Sequence, residues 1–368
     1  MTVISGKNLK EKILKMRKFA IFSGFLGAGK TTTQMALTKY HTDHHGKAAM
    51  ISNDLGHSVD LADCRLAKLC GCNASEITDN CICFVNEQLA DRLRSLYDDG
   101  CELVISDIPG FGVGALEHVY YGLTEKYPGE FLLAPFTAIT EPCIVETLIN
   151  GKGSDLRYIY DAQLAEADLI VMNKCDLIND EQRKAYEEWL RKRYPLAQVI
   201  SISAVTGEGL EKLSQALTEG SASMRIPDLS HLKDDLSSAM DRMSEFYMQY
   251  HASVCCNDFD GNEYLREMAE AVCKDIMALG EEIPHLKLLT WAPEGDYGKA
   301  DLLGTGRPVE MTHRFEHRCT DLAVIINGTA ACPADKLEKI VTDSVKRVSD
   351  EYQLELMIFK TECMGMCD

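Results

Sequence analysis

The sequence predicts an α/β fold in which a doubly wound, mostly parallel sheet is followed by a smaller α+β domain. Short apolar runs alternate with helical segments over the first part of the chain, which is the pattern of parallel strands joined by crossover helices. Each apolar run ends in glycines or polar residues. The pattern changes after about residue 222, where strands of antiparallel type follow a largely helical stretch.

The apolar runs have the length and composition of buried strands. They lie at 19–29, 48–54, 102–110, 167–176 and 197–204. Helical segments lie between them, among them 31–41 and 181–194. Since ligands of such sheets bind at the carboxyl ends of the strands, we expect the functional residues just after each run.

The change of pattern predicts three regions along the chain. Residues 1–222 form the α/β domain, 223–280 a helical linker region and 281–368 the α+β domain. The last region contains a strong helical pattern at 333–352, with Pro333 and Asp335 near its start.

Composition and charge exclude several classes of protein. The chain has 368 residues with 38 basic and 57 acidic side chains, a formal net charge of −19, which disfavours a nucleic acid partner. No apolar run reaches the ~18 residues of a membrane span, and no secretory signal is visible, so we expect a cytoplasmic protein without a membrane partner. In that compartment 15 cysteines are expected to be thiols or metal ligands.

The segment Gly24–Thr31, GFLGAGKT, matches the phosphate-binding pattern G-x-x-x-x-G-K-[ST] between a strand and a helix. Glycines allow backbone N–H groups to turn towards phosphate oxygens, and the helix that follows directs its positive end at them. Lys30 is expected to reach the β- and γ-phosphates, and the Thr31 hydroxyl to bind Mg²⁺. The predicted phosphate-binding residues are Gly24, Gly27, Ala28, Gly29, Lys30, Thr31 and Thr32.

An acidic motif follows a later strand. Asp107-Ile-Pro-Gly110 places an acid at a strand end, where it can hold Mg²⁺ through water, and a glycine N–H that can sense a γ-phosphate. This spacing predicts that Asp107 belongs to the metal and catalytic site and that Gly110 contacts nucleotide.

The motif Asn173-Lys174-Cys175-Asp176 predicts a site for guanine. The Asp176 carboxylate can accept hydrogen bonds from the N1–H and 2-amino groups of guanine, which adenine lacks. Ser203 and Ala204 are expected to supply a backbone contact to guanine O6. GTP is therefore favoured over ATP, and an ATPase is the disfavoured alternative.

The stretch CGCNASEITDNCICF contains two C-x-C pairs about fifty residues after the phosphate-binding loop. Four thiolates suit Zn²⁺, Co²⁺ or Cu⁺, although C-x-C is tighter than the spacing of common structural zinc sites. Packed cysteines and a redox switch are the alternatives. The candidate metal ligands at this site are Asp54, Cys70, Cys72, Cys81 and Cys83, with His57 and Cys64 as further candidates.

The chain resembles the metallochaperone-type GTPases of the CobW, UreG and HypB kind. The segments GFLGAGKTT, SNDLGHSVD, NCICF, SDIPGFG and NKCD occur in the order of that family, over roughly residues 18–215. The tail resembles the CobW C-terminal domain. The resemblance implies a P-loop GTPase sheet, a client metalloenzyme or corrinoid protein, and dimerisation across the nucleotide.

The chain departs from the family pattern at three places. Asn53-Asp54-Leu55-Gly56 stands where the family has Asn-Glu-Phe-Gly, and Asp107 stands where it has Glu. The family's Cys-x-Cys-Cys reads Cys81-Ile-Cys-Phe84, so the third thiol is absent.

These observations predict a slow GTPase that serves as a metallochaperone or metallocofactor assembly factor, with GTP/GDP, Mg²⁺ and a cargo such as Zn²⁺, Co²⁺ or Ni²⁺. Lys30 and Asp107 are the predicted catalytic residues, with Asp60, or Asp54 through water, orienting the attacking water. The alternatives are a chaperone of a cobalamin enzyme that carries no free metal, and a thiol-based metal or redox sensor.

Overall fold

The computed structural model of the chain describes residues 17–53, 67–68, 71–77, 81–108, 110, 112–151, 154–255, 257–293 and 295–365. The chain divides into two compact units, Met1–Leu236 and Ser237–Asp368. Among the residues in these ranges, no helix has both the length and the apolar character needed to cross a membrane.

The first unit is built on a parallel sheet. In the described part of the chain its strands run in the order β3-β2-β4-β1-β6-β7-β8, with β5 paired beside β1. The strands are β1 Lys18–Ser23, β2 Ala48–Asn53, β3 Ala74–Ile77, β4 Leu103–Asp107, β5 Leu132–Leu133, β6 Thr137–Thr140, β7 Leu169–Met172 and β8 Gln198–Ser201. The predicted α/β class of fold is confirmed.

Helices connect these strands on both faces of the sheet. They are α1 Lys30–His44, α2 Asn86–Asp98, α3 Gly122–Lys126, α4 Pro142–Asn150, α5 Arg157–Glu166, α6 Asp180–Arg193 and α7 Leu210–Glu219. A π-helical turn, Leu116–Tyr121, precedes α3, and a 3₁₀ turn, Cys175–Leu177, precedes α6.

Coverage on both faces explains why the strand sequences are apolar throughout. All six residues of β1 and all six of β2 are buried, because a central parallel strand has a helix layer on each side. Phe19 and Ile51 belong to a core cluster that includes Leu93 of α2, whereas Met50 packs beside Met35 of α1. Neighbouring residues of β2 therefore face opposite helix layers, as the two-residue period of a strand requires.

The second unit contains an antiparallel sheet with the strand order β12-β11-β10-β13-β9-β14. Its strands are β9 Ser244–Ser253, β10 His285–Trp291, β11 Tyr297–Leu302, β12 Glu310–His313, β13 Asp321–Ala330 and β14 Glu355–Gly365. Its helices are α9 Gly261–Ala278 and α10 Ala334–Glu351, while α8 Lys233–Asp241 spans the division between the units. One core cluster joins α9 and α10 to the sheet, with Met268, Val345 and Leu288 among its members.

The structure differs from the helical linker predicted at 223–280. Within that range β9 is a full strand of the sheet, paired with β13 on one side and β14 on the other. Its residues alternate between buried and half-buried over much of its length, but both partner strands lie far along the chain. A strand whose stability depends on such distant pairing is weakly marked by its own sequence.

Candidate functional site

The loop between β1 and α1 has the backbone conformation that phosphate binding needs. Gly24 and Gly29 have φ values of 126° and 91°, where an L-residue is strained. A Cβ on Gly24 would overlap the carbonyl oxygen of Ile139, and one on Gly29 would overlap the Asn173 amide. Lys30 starts α1 and donates from Nζ to the carbonyl oxygens of Gly24 at 2.8 Å and Phe25 at 3.3 Å.

The N-terminal residues of α1 complete this loop. Thr31 is half-buried and Thr32 is exposed, in the first turn of a 15-residue helix. The positive end of such a helix attracts phosphate groups, and its first N–H groups lack intrahelical partners. The loop and helix end together can therefore receive a di- or triphosphate.

Asn173 ties the phosphate-binding loop to the loop after β8. The Asn173 side chain is buried; its Nδ2 donates to the carbonyl oxygen of Ala28 at 3.1 Å, and its Oδ1 accepts from the Ala204 N–H at 3.0 Å. Both partners are backbone groups, so the amide sets the spacing between the two loops. The base of a nucleotide whose phosphates bind at the phosphate-binding loop would lie beside the loop after β8.

Lys174 and Asp176 follow on the same side of β7. Lys174 has a left-handed backbone, with φ of 59°, and its Nζ lies 2.7 Å from Oε2 of the buried Glu141. Asp176 lies in the 3₁₀ turn and is exposed, so its carboxylate is accessible to a ligand.

The loop after β8 is held by its own hydrogen bonds. The buried Ser203 accepts at Oγ from the Thr206 N–H at 3.1 Å, and its own N–H donates to the Glu208 carbonyl at 3.0 Å. The Ala204 N–H, predicted to reach guanine O6, donates to Asn173 in this structure. This N–H can contact a base only if it shares its hydrogen between Asn173 and the base, or gives up the bond to Asn173.

Asp107 and Gly110 lie against the phosphate-binding loop. Asp107 ends β4 directly opposite Phe22 of β1, and a Cβ on Gly110 would come within 2.9 Å of the Leu26 nitrogen. The Asp107 carboxylate and the Thr31 hydroxyl are hard oxygen donors, which is the chemistry that Mg²⁺ prefers. The residues present therefore fit a magnesium–phosphate complex.

Three predicted site residues fall outside the described part of the chain. They are Asp54, Asp60 and Cys70, together with the further candidates His57 and Cys64. Their predicted roles as metal ligands, or in orienting water, remain predictions.

The two thiols of the second C-x-C pair occupy a tight turn before α2. The Phe84 N–H donates to the Cys81 carbonyl at 2.9 Å and the Cys83 N–H to Cys81 Sγ at 3.4 Å. The Ile82 N–H donates to Asn53 Oδ1 at 3.0 Å, which joins the turn to the end of β2. We call residues 81–84 the thiol turn.

Electrostatics make the two thiols of the thiol turn unequal. A hydrogen bond from Cys83 lowers the pKa of Cys81, against burial and the nearby Asp107 carboxylate, which raise it. The pKa of Cys83 is raised by its bond to Cys81, by burial and by the charges of Cys81 and Glu166. Cys81 is therefore the more readily ionised thiol of the pair, and thiolates are the form that binds metals.

Cys72 is separated from the thiol turn by the sheet. It is buried with Met50 and Ala74 on the α1 face, and its Sγ donates to the Met35 carbonyl at 3.6 Å. Ile82 and Cys83 pack instead with the core cluster on the α2 face. The structure thus does not bring Cys72 together with Cys81 and Cys83, because β2 directs alternate side chains to opposite faces.

No group of three or more His, Cys, Asp or Glu side chains is arranged to hold a metal within the described ranges. Phe84 stands where a third thiol was expected from the family pattern, and it is 75% exposed. A metal bound at the thiol turn would thus need a ligand from elsewhere or a rearrangement of described groups.

The family model described as CobW/HypB/UreG, nucleotide-binding domain, matches residues 18–201. The chain belongs to the CobW/HypB/UreG family. The matched range contains β1 to β8 and the nucleotide motifs described above, except Ser203 and Ala204, which follow directly after it.

Two curated relatives match parts of this family member. It is 31% identical to the zinc chaperone YeiR of Escherichia coli K12 over 178 residues, 47% of this chain and 51% of that protein. It is 40% identical to the ribosomal biogenesis GTPase RsgA of Haemophilus influenzae over 68 residues, 18% of this chain and 20% of that protein. The chain thus spans about half the length of the first relative and a fifth of the second.

Two solved structures are also similar to parts of this chain. HypB from Helicobacter pylori in complex with nickel has 19% identity and a TM-score of 0.38, covering 58% of this chain and 91% of its own. Zn(II)-bound YjiA from E. coli has 13% identity and a TM-score of 0.33, covering 89% and 98%. Membership of the family rests on the family model and not on these structures.

The structure adds three site residues in this family member that sequence analysis missed. Glu141 pairs with Lys174, while Gln163 and Glu166 of α5 contact the loop after Asp107. Glu141 directly follows β6, a strand that the sequence analysis did not predict. Had β6 been predicted, the expectation that functional residues follow strand ends would have identified Glu141. Gln163 and Glu166 carried no sequence signal, because they act from a helix that is close only in the folded chain.

Proposed function

We propose that this protein binds and slowly hydrolyses GTP and uses the nucleotide to control a metal ion held at the thiol turn for a client metalloprotein. The observation that carries the nucleotide part is the double hydrogen bond of Asn173, which joins the phosphate-binding loop to the loop after β8. Belonging to the CobW/HypB/UreG family supports the proposal, as does the likeness to a protein named as a zinc chaperone.

Positioning and charge neutralisation would account for the hydrolysis. Lys30 would leave the carbonyls of Gly24 and Phe25 to contact phosphate oxygens, and loop N–H groups would donate to the same oxygens. Mg²⁺, when bound by Thr31 and Asp107, supplies neutralisation of the phosphate charge. No arginine finger was identified in the sequence, in keeping with a slow intrinsic rate.

The metal part of the proposal is supported by the position of the thiol turn. The Ile82 N–H of the thiol turn donates to Asn53 at the end of β2, and β2 pairs with β4, which ends at Asp107. The thiol turn and the acid predicted to hold Mg²⁺ therefore lie at the same edge of the sheet. A change at the γ-phosphate that shifts the loop after Asp107 would therefore alter the surroundings of the thiols. The cargo that best fits two thiolates is a borderline or soft ion such as Zn²⁺.

A thiol-based sensor is the second candidate. The hydrogen bonds that Cys83 donates to Cys81, without a third ligand group among the described residues, favour it. It requires tight nucleotide binding without turnover, so a measured GTPase rate separates the two candidates. A client protein, a homodimer, a cytoplasmic location and the absence of nucleic acid and membrane partners are parts of the proposal that stay predictions.

The guanine assignment is tested with Asp176→Ala and the control Asp180→Ala. Both remove an aspartate from the region after β7, but Asp180 lies at the start of α6. We expect wild type to hydrolyse GTP at least ~100-fold more efficiently than ATP, and Asp176→Ala to lower kcat/KM for GTP by roughly 100-fold, since unpaired polar groups discriminate strongly. Asp180→Ala should keep the preference. Equal wild-type rates with the two nucleotides would contradict the assignment.

The metal assignment is tested by titrating Zn²⁺, Co²⁺ and Ni²⁺ into the protein. Cys81→Ser/Cys83→Ser should weaken Zn²⁺ binding by at least ~10-fold, because it removes both thiolates. Cys72→Ser is the matched control, since this thiol lies on the opposite face of the sheet. Unchanged affinity in the double variant would remove the thiol turn as the metal site.

A further inference from the structure

The loop after Asp107 is held between the phosphate-binding loop and α5. The described residues 107, 108, 110 and 112–114, here called the acid loop, approach Leu26 through Gly110. On the other side Gln163 Nε2 donates to the carbonyl oxygens of Gly110 at 3.0 Å and Gly112 at 3.1 Å. One amide group thus uses both of its hydrogens to hold two successive parts of the same loop.

A second contact fixes the end of the acid loop. The Gly114 N–H donates to Glu166 Oε1 at 2.5 Å. Gln163 is 1% exposed and Glu166 is 4% exposed, while the loop residues that they hold are buried at Gly110 and half-buried at Gly112 and Gly114. Losing either side chain would remove the partner of backbone groups that are at least half-buried, which is costly.

The end of the acid loop also reaches the thiol turn. The Gly114 carbonyl oxygen accepts from the His118 N–H at 3.0 Å, and the centre of the His118 ring lies 6.1 Å from that of Phe84 in the thiol turn. Glu166 Oε2 is buried and has no hydrogen-bond partner within the described residues. One oxygen of this carboxylate therefore holds the acid loop, while the other is available to a group that approaches when the loop or the thiol turn moves.

We propose that Gln163 and Glu166 are positioning residues that make the acid loop the mechanical link between the nucleotide site and the thiol turn. A γ-phosphate that draws Gly110 would pull on two carbonyls held by Gln163 and on the N–H held by Glu166. The end of the acid loop then shifts against His118 and Phe84, which changes how the two thiols of the thiol turn are presented to a cation. The inference rests on the proposed function and adds to it the residues that couple its two halves.

The test measures the coupling directly. We compare the Kd for Zn²⁺ alone in the presence of GDP with that in the presence of a GTP analogue with a β,γ-imido bridge, both with Mg²⁺. The ratio of the two values is the coupling, for which about 10-fold is typical of linked sites. We expect such a ratio in wild type and a ratio within about 2-fold of one in Gln163→Leu and Glu166→Leu.

Glu166→Gln is the matched control for Glu166→Leu. It keeps the size of the side chain and an oxygen that can accept from the Gly114 N–H, so it should keep the wild-type ratio. Loss of the ratio in Glu166→Gln would contradict the mechanical link even if the two leucine variants fail to fold. In Gln163→Leu and Glu166→Leu we expect kcat for GTP to fall while KM stays within about 3-fold of wild type, because phosphate binding at the first loop is untouched.

Asp161→Asn is the control for a merely structural effect. Asp161 also lies on α5, but it binds Arg193 at 2.6 Å and Tyr194 at 2.6 Å and makes no contact with the acid loop among the bonds observed. This variant should lower stability and keep the wild-type ratio. A ratio lost equally in Asp161→Asn, or kept in both test variants, overturns the inference.

The two proposals fail in different ways. A wild type that hydrolyses GTP and binds Zn²⁺ with a ratio near one overturns only the coupling. A wild type that does not hydrolyse GTP, or does not bind Zn²⁺, overturns the proposed function and the coupling with it.

Discussion

His41 has a structural role that differs from that of the histidines next to it in the sequence. With His44 and His45 it forms a histidine-rich helix end. The structure exposes His44 and His45 but buries His41, whose Nδ1 lies 2.8 Å from Ser214 Oγ of α7. Burial, then the charge of His45, lowers the pKa of His41 to about 4.

This burial predicts a loss of stability in mild acid. Between pH 6.5 and 4 the unfolded chain binds a proton at His41 that the folded chain does not, so the free energy of unfolding falls as the pH falls through this window. At pH 5 the loss relative to pH 7.5 should be about 2 kcal/mol. Denaturant unfolding of wild type and His41→Asn at both pH values measures it.

The matched control for this prediction is His44→Asn, at the exposed end of the same helix. His41→Asn should remove about 2 kcal/mol of the pH dependence of stability, and the control should remove less. An identical pH dependence in wild type and His41→Asn would show that His41 is not protonated differently in the two states.

At the scale of the element, helix α6 has a start that its own local sequence determines. Asn179 Oδ1 accepts from the Gln182 N–H at 2.9 Å, and Gln182 Oε1 accepts from the Asn179 N–H at 3.2 Å, a capping box. Acidic residues follow in the first turn and basic ones in the last, which complements the helix dipole. The start of α6 is therefore determined by side chains within four residues.

Asn179→Ala should destabilise the first unit by about 1 kcal/mol, since it leaves the Gln182 N–H without its cap. Gln182→Ala removes the reciprocal bond and should cost less, while Asn179→Asp keeps an acceptor and should be close to wild type. Thermal unfolding of the three variants provides the measurement. Equal loss in Asn179→Asp and Asn179→Ala would exclude capping as the cause.

The strands differ from α6 in how far their own sequence determines them. β1, β2 and β4 were expected because a strand covered on both faces is apolar along its whole length. β9 was missed because its partners, β13 and β14, lie 68 or more residues further along the chain, from Asp321 onwards. A sheet is stabilised by side-chain pairs across strands, which a local pattern does not contain.

At the scale of the whole molecule, the charge is the property that limits which partners bind. With 57 acidic and 38 basic side chains the net charge is −19, so a phosphate backbone is repelled at long range. The same net charge repels the phosphates of a nucleotide. The positive charge and the N–H groups at the phosphate-binding loop must therefore outweigh this repulsion at the site.

We therefore expect no measurable binding of duplex DNA at 50 mM salt, weaker than the ~100 µM Kd of non-specific binders. Fluorescence anisotropy of a labelled duplex tests this, with a GTP analogue as the positive control for an active preparation. Binding that strengthens as salt is lowered would contradict the prediction and point to a basic surface that the overall charge conceals.

The sequence by itself determined the sheet class, the order of the nucleotide motifs and the family, because each depends on short runs of residues whose chemistry is local. Gly24, Lys30, Asn173 and Asp176 were placed in one site from their positions after successive strands. Only the tertiary structure decided that Cys72 lies on the opposite face of the sheet from Cys81 and Cys83. It also decided that Gln163 and Glu166 hold the acid loop from α5. The physical reason is the same in both cases: which face a strand residue occupies, and which loop a helix residue reaches, depend on the packing of segments that are distant in the chain.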